Sequence, residues 1–521
     1  MTVAPSDAKA GWKEWVGLAV LMLPVLLISI TVTVLFFALP SLTAELEPTA
    51  AEQLWIVDIY AFLLAGLLIP MGNLGDRIGR RKLLLMGAVA FAITSAVAAY
   101  APNAELLIAA RGLQGAAAAT LMPPTLALIR AMFTNARQLQ MAIALWAAVF
   151  TVGSVIGPII GGWMLEYFWW GSVFLINVPI MVLLLALGPF LLPEYRDPEP
   201  GNFDILSAAL ILLAALPLVF AVKQGAAQDF SAPMWIAAVL GAAFLVMFLR
   251  RQKRLADPML DLALFRDRAF SVALITATLA VFALVGTFYF ITQYLMSVLD
   301  MRPLLAGLMT LPTAVSSVAG SLLGAALTRW FRPGNIMGFG MISGAVGFGV
   351  ISLLGTTANL PLLFLGLFLL GWGIGSVNAL ASNLVVAAAP PEKAGSASGL
   401  FESSTEFGQA LGAAILGSIG VAVFRLTLAE DLPSGLTGEQ AAAANETLGG
   451  ALAIAGELPG PVGGALATAA REAYVGGMQT AAIAGAAVMV VMGILAFINL
   501  RNAKVEEEPA DGPEPAPEPV K

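Results

Sequence analysis

The sequence predicts an all-helical integral membrane protein that crosses the bilayer fourteen times, and three observations predict it. Apolar runs of eighteen or more residues recur from end to end, charged residues are scarce, and Lys and Arg collect in alternate connecting loops. Of the 521 residues, 59% are hydrophobic and 11% are charged, whereas soluble domains carry about a quarter charged residues. A soluble chain of this size would lack the polar surface to cover itself. Each run is long enough to cross a hydrocarbon layer of about 30 Å.

The first six spans are expected at about 16–39, 53–71, 83–101, 106–129, 139–165 and 171–192. A middle pair follows at about 205–222 and 234–249, and the last six lie at about 269–296, 305–327, 336–354, 361–387, 396–424 and 475–498. The polar start, Met1 to Lys13, leads into a long apolar run with no small-residue cleavage site, so that run reads as a retained span rather than a signal peptide. The chain thus divides into a cytoplasmic tail (1–15), an N-terminal six-helix bundle (16–192), two additional central helices with flanking cytoplasmic loops (193–268) and a C-terminal six-helix bundle (269–498). Within the last, the Ala- and Gly-rich segment 425–474 reads as a small extracellular helical hairpin. The remainder, 499–521, is Pro- and Glu-rich and reads as a disordered cytoplasmic tail.

Orientation follows from the basic residues, which accumulate on the cytoplasmic side. Placing both termini inside leaves only Lys223, Arg302, Arg425 and Arg471 outside and Arg111 within a span, out of 26 Lys and Arg. The net charge of −7 reflects the acidic tail (Glu506, Glu507, Glu508, Asp511, Glu514, Glu518) and implies no nucleic-acid partner. Cys and His are both absent. That removes disulfides, iron–sulfur clusters, thiolate nucleophiles, and the commonest metal ligand and general base. No metal and no cofactor are expected, no Walker motif is present, and a membrane-bound enzyme lacks an intramembrane nucleophile–base pair to work with.

A short internal repeat marks two halves. The loop after the second span reads Gly72-Asn-Leu-Gly-Asp76-Arg77-Ile-Gly79-Arg80-Arg81-Lys82, and the loop after the tenth reads Gly324-Ala-Ala-Leu-Thr328-Arg329-Trp-Phe-Arg332. Aligning Gly72 with Gly324 pairs Arg77 with Arg329 and Arg80 with Arg332, each after the second helix of a six-helix block. Duplicated halves with a site between them near the midplane are a common transporter design.

Gly72 to Lys82 resembles the signature loop of the major facilitator superfamily. Arg111-Gly-Leu-Gln114-Gly115 resembles the fourth-helix motif of its proton-coupled members, and Gly153-Ser-Val-Ile-Gly157-Pro158-Ile-Ile-Gly161-Gly162 resembles the fifth-helix antiporter motif. The six-plus-two-plus-six count, Trp55-Ile-Val-Asp58-Ile-Tyr60 and the long loop before the last helix are similar to the fourteen-helix drug/proton antiporters, nearest to quaternary ammonium and fluoroquinolone efflux pumps. The resemblance implies a major facilitator fold in the cytoplasmic membrane and proton-coupled export of lipophilic, often cationic compounds by alternating access. It implies a monomer among membrane lipids, driven by the proton gradient. The same machinery exporting a natural product, siderophore, amino acid or lipid is the alternative.

Ionisable groups inside a span are costly, which singles out Asp58 in the second helix, Arg111 in the fourth, and Glu402 and Glu406 in the thirteenth. Glu402 and Glu406 are one turn apart on one face. Two carboxylates so close in a low dielectric cannot both ionise cheaply and should titrate as a coupled pair. Such a pair can hold a proton, release it, and then attract a cation. Asp58 is expected in the outer part of its helix, about four residues from the start. Arg111 needs a partner in lipid, a carbonyl or a carboxylate, and the resemblance gives it a role in proton coupling. Related pumps carry an Asp in the first helix, nine residues before the Pro that closes Ala38-Leu39-Pro40; here that position is Thr31, which cannot carry a proton at physiological pH.

Other residues are expected to move rather than bind. Gly153, Gly157 and Gly161 form one smooth stripe that admits another helix, and Pro158 can kink its own. The resemblance makes this stripe, with Gly162, a leak-proof contact between the halves. In the Gly72, Asp76, Arg77, Gly79, Arg80 loop, Asp76 can pair with Arg77 or Arg80, or cap a helix across the boundary, as a latch for the outward-open state. Trp55, Tyr60, Trp146, Phe150, Phe282, Phe288, Tyr289 and Phe290 could face flat cations.

Overall fold

Apolar helix formers, cut by Pro, Gly and capping polar residues, set every element. The structure, a computed structural model, describes residues 10–196, 204–226, 231–255, 258, 260, 262–388 and 394–501. The expected disordered tail beyond 501, the first nine residues and Lys393 lie outside them. The helices are α1 (Trp12–Leu46), α2 (Ala50–Ile78), α3 (Arg80–Ala99), α4 (Ala104–Ala119), α5 (Met122–Met132), α6 (Ala136–Tyr167), α7 (Ser172–Leu175), α8 (Asn177–Leu191), α9 (Ile205–Ala226) and α10 (Ala232–Gln252). They continue with α11 (Arg268–Gln293), α12 (Pro303–Met309), α13 (Leu311–Leu327), α14 (Pro333–Ile351), α15 (Leu360–Ala387), α16 (Ala394–Glu430), α17 (Gly438–Ala444), α18 (Leu448–Glu457) and α19 (Gly460–Asn499). No strand occurs among the described residues.

Thirteen helical segments among the described residues are long and apolar enough to cross a bilayer. α6, of 32 residues, stands where the fifth span was expected. The caps are written in the sequence. Thr49 opens α2 with a reciprocal box, its hydroxyl accepting from the Glu52 N–H at 3.3 Å while the Glu52 carboxylate accepts from the Thr49 N–H at 2.8 Å. Asn103, Asn135, Asp267 and Asn359 cap α4, α6, α11 and α15 in the same sense. Between α2 and α3 the chain turns on Gly79 at φ +108°, where a side chain would be strained and would strike the Glu194 carboxylate.

The same helix pairings recur in the two halves. α1 packs on α6, α2 on α4, α3 on α4 and α3 on α8; correspondingly α11 packs on α16, α13 on α15, α14 on α15 and α14 on α19. The short sequence repeat therefore sits on matching second helices. α9 lies against both α2 and α16, filling their groove with Val219 beside Ala61, Phe62, Ala410 and Ala414, while α10 packs on α9.

One boundary departs from expectation. The last helix begins at Gly460, not near 475, because Pro461 suits a first turn and the following Ala-rich stretch propagates helix. The segment 425–474 therefore comprises the end of α16, the short α17 and α18, and the opening turns of α19. Leu448 and Ala451 of α18 are buried, with Gly449 against Thr43 of α1.

Candidate functional site between the two halves

The halves meet at the end carrying the 46–50, 168–171, 299–303 and 430–460 connections. Gly162 of α6 lies on the backbone of Pro303 and Leu304, and Gly307 of α12 on the carbonyl of Pro158. Arg302 pairs with Glu166, and Gln53 of α2 donates to Gln293 of α11 at 3.4 Å. Glu446 ties the hairpin to both halves, accepting from the Ala50 N–H at 3.1 Å and facing Arg425 at 3.4 Å. Closer to the middle, Phe62 meets Phe407 edge-on at 6.3 Å between ring centroids.

Where the contact reaches the middle of the molecule, Asp58 and Arg111 line one cavity, and Glu406 lies close enough to act on Tyr60 in its wall. Asp58, Arg111 and Glu406 are 1%, 1% and 3% exposed. Asp58 lies deeper than expected, because α2 starts at Ala50 and places it two turns inside rather than one. Asp58, Tyr60 and Arg111 from the N-terminal half, with Gln409 and Ala413 of α16, line a cavity of about 20 Å³ at the interface. That is room for about one water. Glu406 is hydrogen-bonded to Gln409, feels the charge of Glu402 one turn away, and keeps its Oε2 without a hydrogen-bond partner. Glu402 is only partly buried, towards the start of α16.

Arg111 finds the carbonyl that its burial demanded. Its Nε donates to the Ile56 carbonyl at 3.3 Å and its NH1 to Gln114 Oε1 at 2.8 Å. Its guanidinium lies 4.4 Å from the Tyr60 ring centroid and 5.8 Å from that of Phe174, so two aromatic faces supplement the hydrogen bonds. Gly115, one turn along, lets α4 press onto the Tyr60 backbone; a Cβ there would collide with the Tyr60 carbonyl.

From Arg111 a buried polar chain runs across the N-terminal half. Gln114 Nε2 donates to Ser95 Oγ at 2.7 Å, Asn177 Nδ2 donates to the same oxygen at 3.3 Å, and Thr31 donates to Asn177 Oδ1 at 3.3 Å. Thr31 is thus a neutral terminus of the network that begins at Arg111. Ser95, Asn177 and Gln409 were not singled out from the sequence. The available signal was an amide or hydroxyl inside an otherwise apolar helix, too common in transmembrane segments to choose among.

The motif glycines divide their work. Gly153, Gly157 and Gly161 face Ser29, Thr33 and Val34 of α1, inside the N-terminal half, not the other half as the resemblance implied. Pro158, Ile159 and Gly162 of the motif reach the other half, against Gly307, Pro303 and Leu304, because a stripe of period four keeps to one face while these residues lie beside it. In the loop, Asp76 pairs with Arg80. Arg81 donates to the carbonyls of Pro189 and Leu192 at 3.1 and 2.9 Å, and the Arg80 N–H donates to Tyr195 at 2.9 Å. Gly72 rests on Pro123 of α5, and Arg77 closes the last turn of α2. The loop is therefore braced on residues 189–196 of its own half. Of the aromatic residues, Trp146 donates to Thr125 at 3.0 Å, and Tyr289 and Phe290 pack edge to face at 5.1 Å.

Comparison with known proteins agrees with this fold. The family model for the Major Facilitator Superfamily matches residues 21–413. The multidrug efflux pump LfrA of Mycolicibacterium smegmatis is 44% identical, over 95% of this chain and 98% of its own. The methyl viologen resistance protein SmvA of Salmonella typhimurium is 33% identical, over 95% and 99%. The tetracenomycin C resistance and export protein of Streptomyces glaucescens is 31% identical, over 97% and 95%. Among solved structures, a bacterial homolog of the human lysosomal transporter Spinster, inward-facing and unoccupied, superposes with a TM-score of 0.65 at 16% identity, over 94% of this chain and 98% of that one. That likeness concerns the fold.

Proposed function

Because the chain belongs to the Major Facilitator Superfamily, we propose that it exports lipophilic, often cationic compounds in exchange for protons, by alternating access to a site between its halves. Quaternary ammonium antiseptics, dyes and fluoroquinolones are the substrate classes, and the cytoplasmic membrane, with both termini inside, is the setting. Names among the relatives support drug export: a multidrug efflux pump and a resistance protein for methyl viologen, itself a flat cation.

One observation carries the exchange. Glu406 places a carboxylate oxygen without a hydrogen-bond partner beside the interface of the halves, with Glu402 one turn away. Protonated, it is neutral and tolerable in a low dielectric. Deprotonated, it is a buried charge that a cationic substrate relieves. Proton and substrate thus compete for one group, which is the requirement of antiport. The end where the halves meet, described above, is the outer one in this orientation, so the outer mouth is closed by these contacts. The chain works as a monomeric transporter rather than an enzyme, with the proton gradient and no cofactor as its energy source.

The test is reconstitution in liposomes with an imposed pH gradient, following ethidium or a quaternary ammonium. Uphill transport should stop when the gradient is collapsed and in Glu406→Gln. Full-rate uphill transport with positions 58, 402 and 406 all neutralised would end the proposal. A second reading, natural-product export by the same mechanism, is favoured by the tetracenomycin C exporter among the relatives. Competition between dye and metabolite separates the two.

A further inference from the structure

A second small cavity lies outward of the Asp58 cavity, along the same three helices. It too has about 20 Å³ and is lined by Gln53, Tyr289, Gln293, Phe424, Glu446 and Tyr474. The inner cavity takes Asp58 and Tyr60 from α2, Val285 from α11, and Gln409 and Ala413 from α16. The order along each helix is consistent: on α2, Gln53 is outer and Asp58 inner; on α11, Gln293 is outer and Val285 inner; on α16, Phe424 is outer and Gln409 inner.

Between the two cavities the groove is narrowed by apolar surface. Leu54 of α2 and the Tyr289 ring of α11 converge over Gly417 of α16, where a Cβ would lie 2.7 Å from Leu54 Cδ2 and 3.8 Å from the ring. Leu54 and Tyr289 are 3% and 2% exposed. Tyr289 forms part of the outer cavity's wall and lies within the field of Asp58, which lines the inner one. Each cavity exceeds the roughly 10–15 Å³ that one water needs, and each has several polar groups to hold it. Around the outer cavity these are Gln53, Gln293 and the Glu446 carboxylate, with Arg425 behind it; around the inner one they are Asp58, Arg111, the Tyr60 hydroxyl and Gln409, which leads to Glu406 and, a turn below, Glu402.

We propose that the two cavities are water-holding stages on the proton's route from the outer mouth to Asp58 and Glu406, and that Leu54 and Tyr289, closing over Gly417, are the valve between them. The inference rests on the proton-exchange reading and adds its path. With the outer end closed, the valve separates the stages and protons cannot run through to a site open to the other side. When the halves part there, α2 moves away from α11 and α16, the stages join, and one H⁺ passes from external water through cavity water to a carboxylate. No heavy-atom bond is made or broken.

Tyr289→Ala removes a ring and leaves space for about three waters, enough to bridge the stages permanently. Leu54→Ala opens the same constriction from the other half, so a folding failure of either variant leaves the second. Tyr289→Phe keeps the ring and loses only the hydroxyl. The experiment places purified full-length protein in liposomes containing a pH-sensitive dye and acidifies the outside without substrate. Proton entry should rise about tenfold, one decade of barrier, for Tyr289→Ala and Leu54→Ala, and stay at the wild-type rate for Tyr289→Phe. Substrate exported per proton should fall in both leaky variants. Wild-type tightness in both alanine variants, in vesicles where the wild type does couple, overturns the valve. So does a Tyr289→Phe variant as leaky as Tyr289→Ala, since the ring would then not be the barrier. Failure of the wild type to couple at all is a different result, and sinks the proton-exchange reading itself.

Discussion

Replacing Gln114 by Leu probes the buried chain most directly. Gln114 is fully buried, accepts from Arg111 NH1 at 2.8 Å and donates to Ser95 Oγ at 2.7 Å. Leu has nearly the same volume but neither polar atom, so packing is conserved while two hydrogen bonds disappear. A hydrogen bond to a charged group contributes about 1.5–3 kcal/mol and a neutral one about 1 kcal/mol. The Ile56 carbonyl and the Tyr60 ring stay in place, so the guanidinium keeps part of its support. The expected loss is therefore about 2–4 kcal/mol. Thermal unfolding in detergent measures it, and gradient-driven dye export should slow because Arg111 is no longer held over Tyr60. Ser95→Ala provides the partner for a double-mutant cycle, with an expected coupling of at least about 0.5 kcal/mol between directly bonded residues. Strict additivity, with both single variants indistinguishable from wild type, would show that the chain neither stabilises the half nor positions Arg111.

Other perturbations follow from the same geometry. Asp204, beside the start of α9 and outside the spans, bonds Arg251 at 2.9 Å. Burial alone would raise its pKa, but its hydrogen bonds to Arg251 and Ser207 outweigh burial and hold it below the ordinary 3.8. A depressed carboxylate stabilises above its unfolded pKa and loses that contribution as pH falls through the folded value. Asp204→Asn should therefore cost about 1 kcal/mol at pH 7, allowing for partial solvent screening; in unfolding scans across pH, the gap to wild type should close below about pH 4. Gly79→Ala forces a side chain to φ +108° and against Glu194; a loss of about 1–3 kcal/mol is expected in thermal unfolding. Asp76→Asn removes the pair with Arg80 and should impair export while membrane insertion, followed by fractionation, stays normal. Gly162→Val meets the Pro303 and Leu304 backbone and should favour the outward-open form, read as increased labelling of a cysteine placed at Gln53 in this cysteine-free chain.

The sequence by itself determined the membrane class, the recurring spans, the matching loops of the two halves and the short list of intramembrane charges. Each of these is a local property: hydrophobic length, loop charge, or an ionisable residue where the solvent is lipid. It also specified that Arg111 must find a carbonyl or carboxylate, since an isolated guanidinium in hydrocarbon is too costly to leave unsatisfied. Only the tertiary structure decided which group answered. Ile56 on another helix, the faces of Tyr60 and Phe174, and the chain through Gln114, Ser95 and Asn177 to Thr31 depend on how six helices are rotated against one another. That rotation also turned the Gly153–Gly161 stripe onto α1 and left Gly162 to meet the other half. It brought Asp58 and Glu406, nearly 350 positions apart, to one interface, because buried polar groups constrain a fold only through partners that hydrophobic periodicity does not identify.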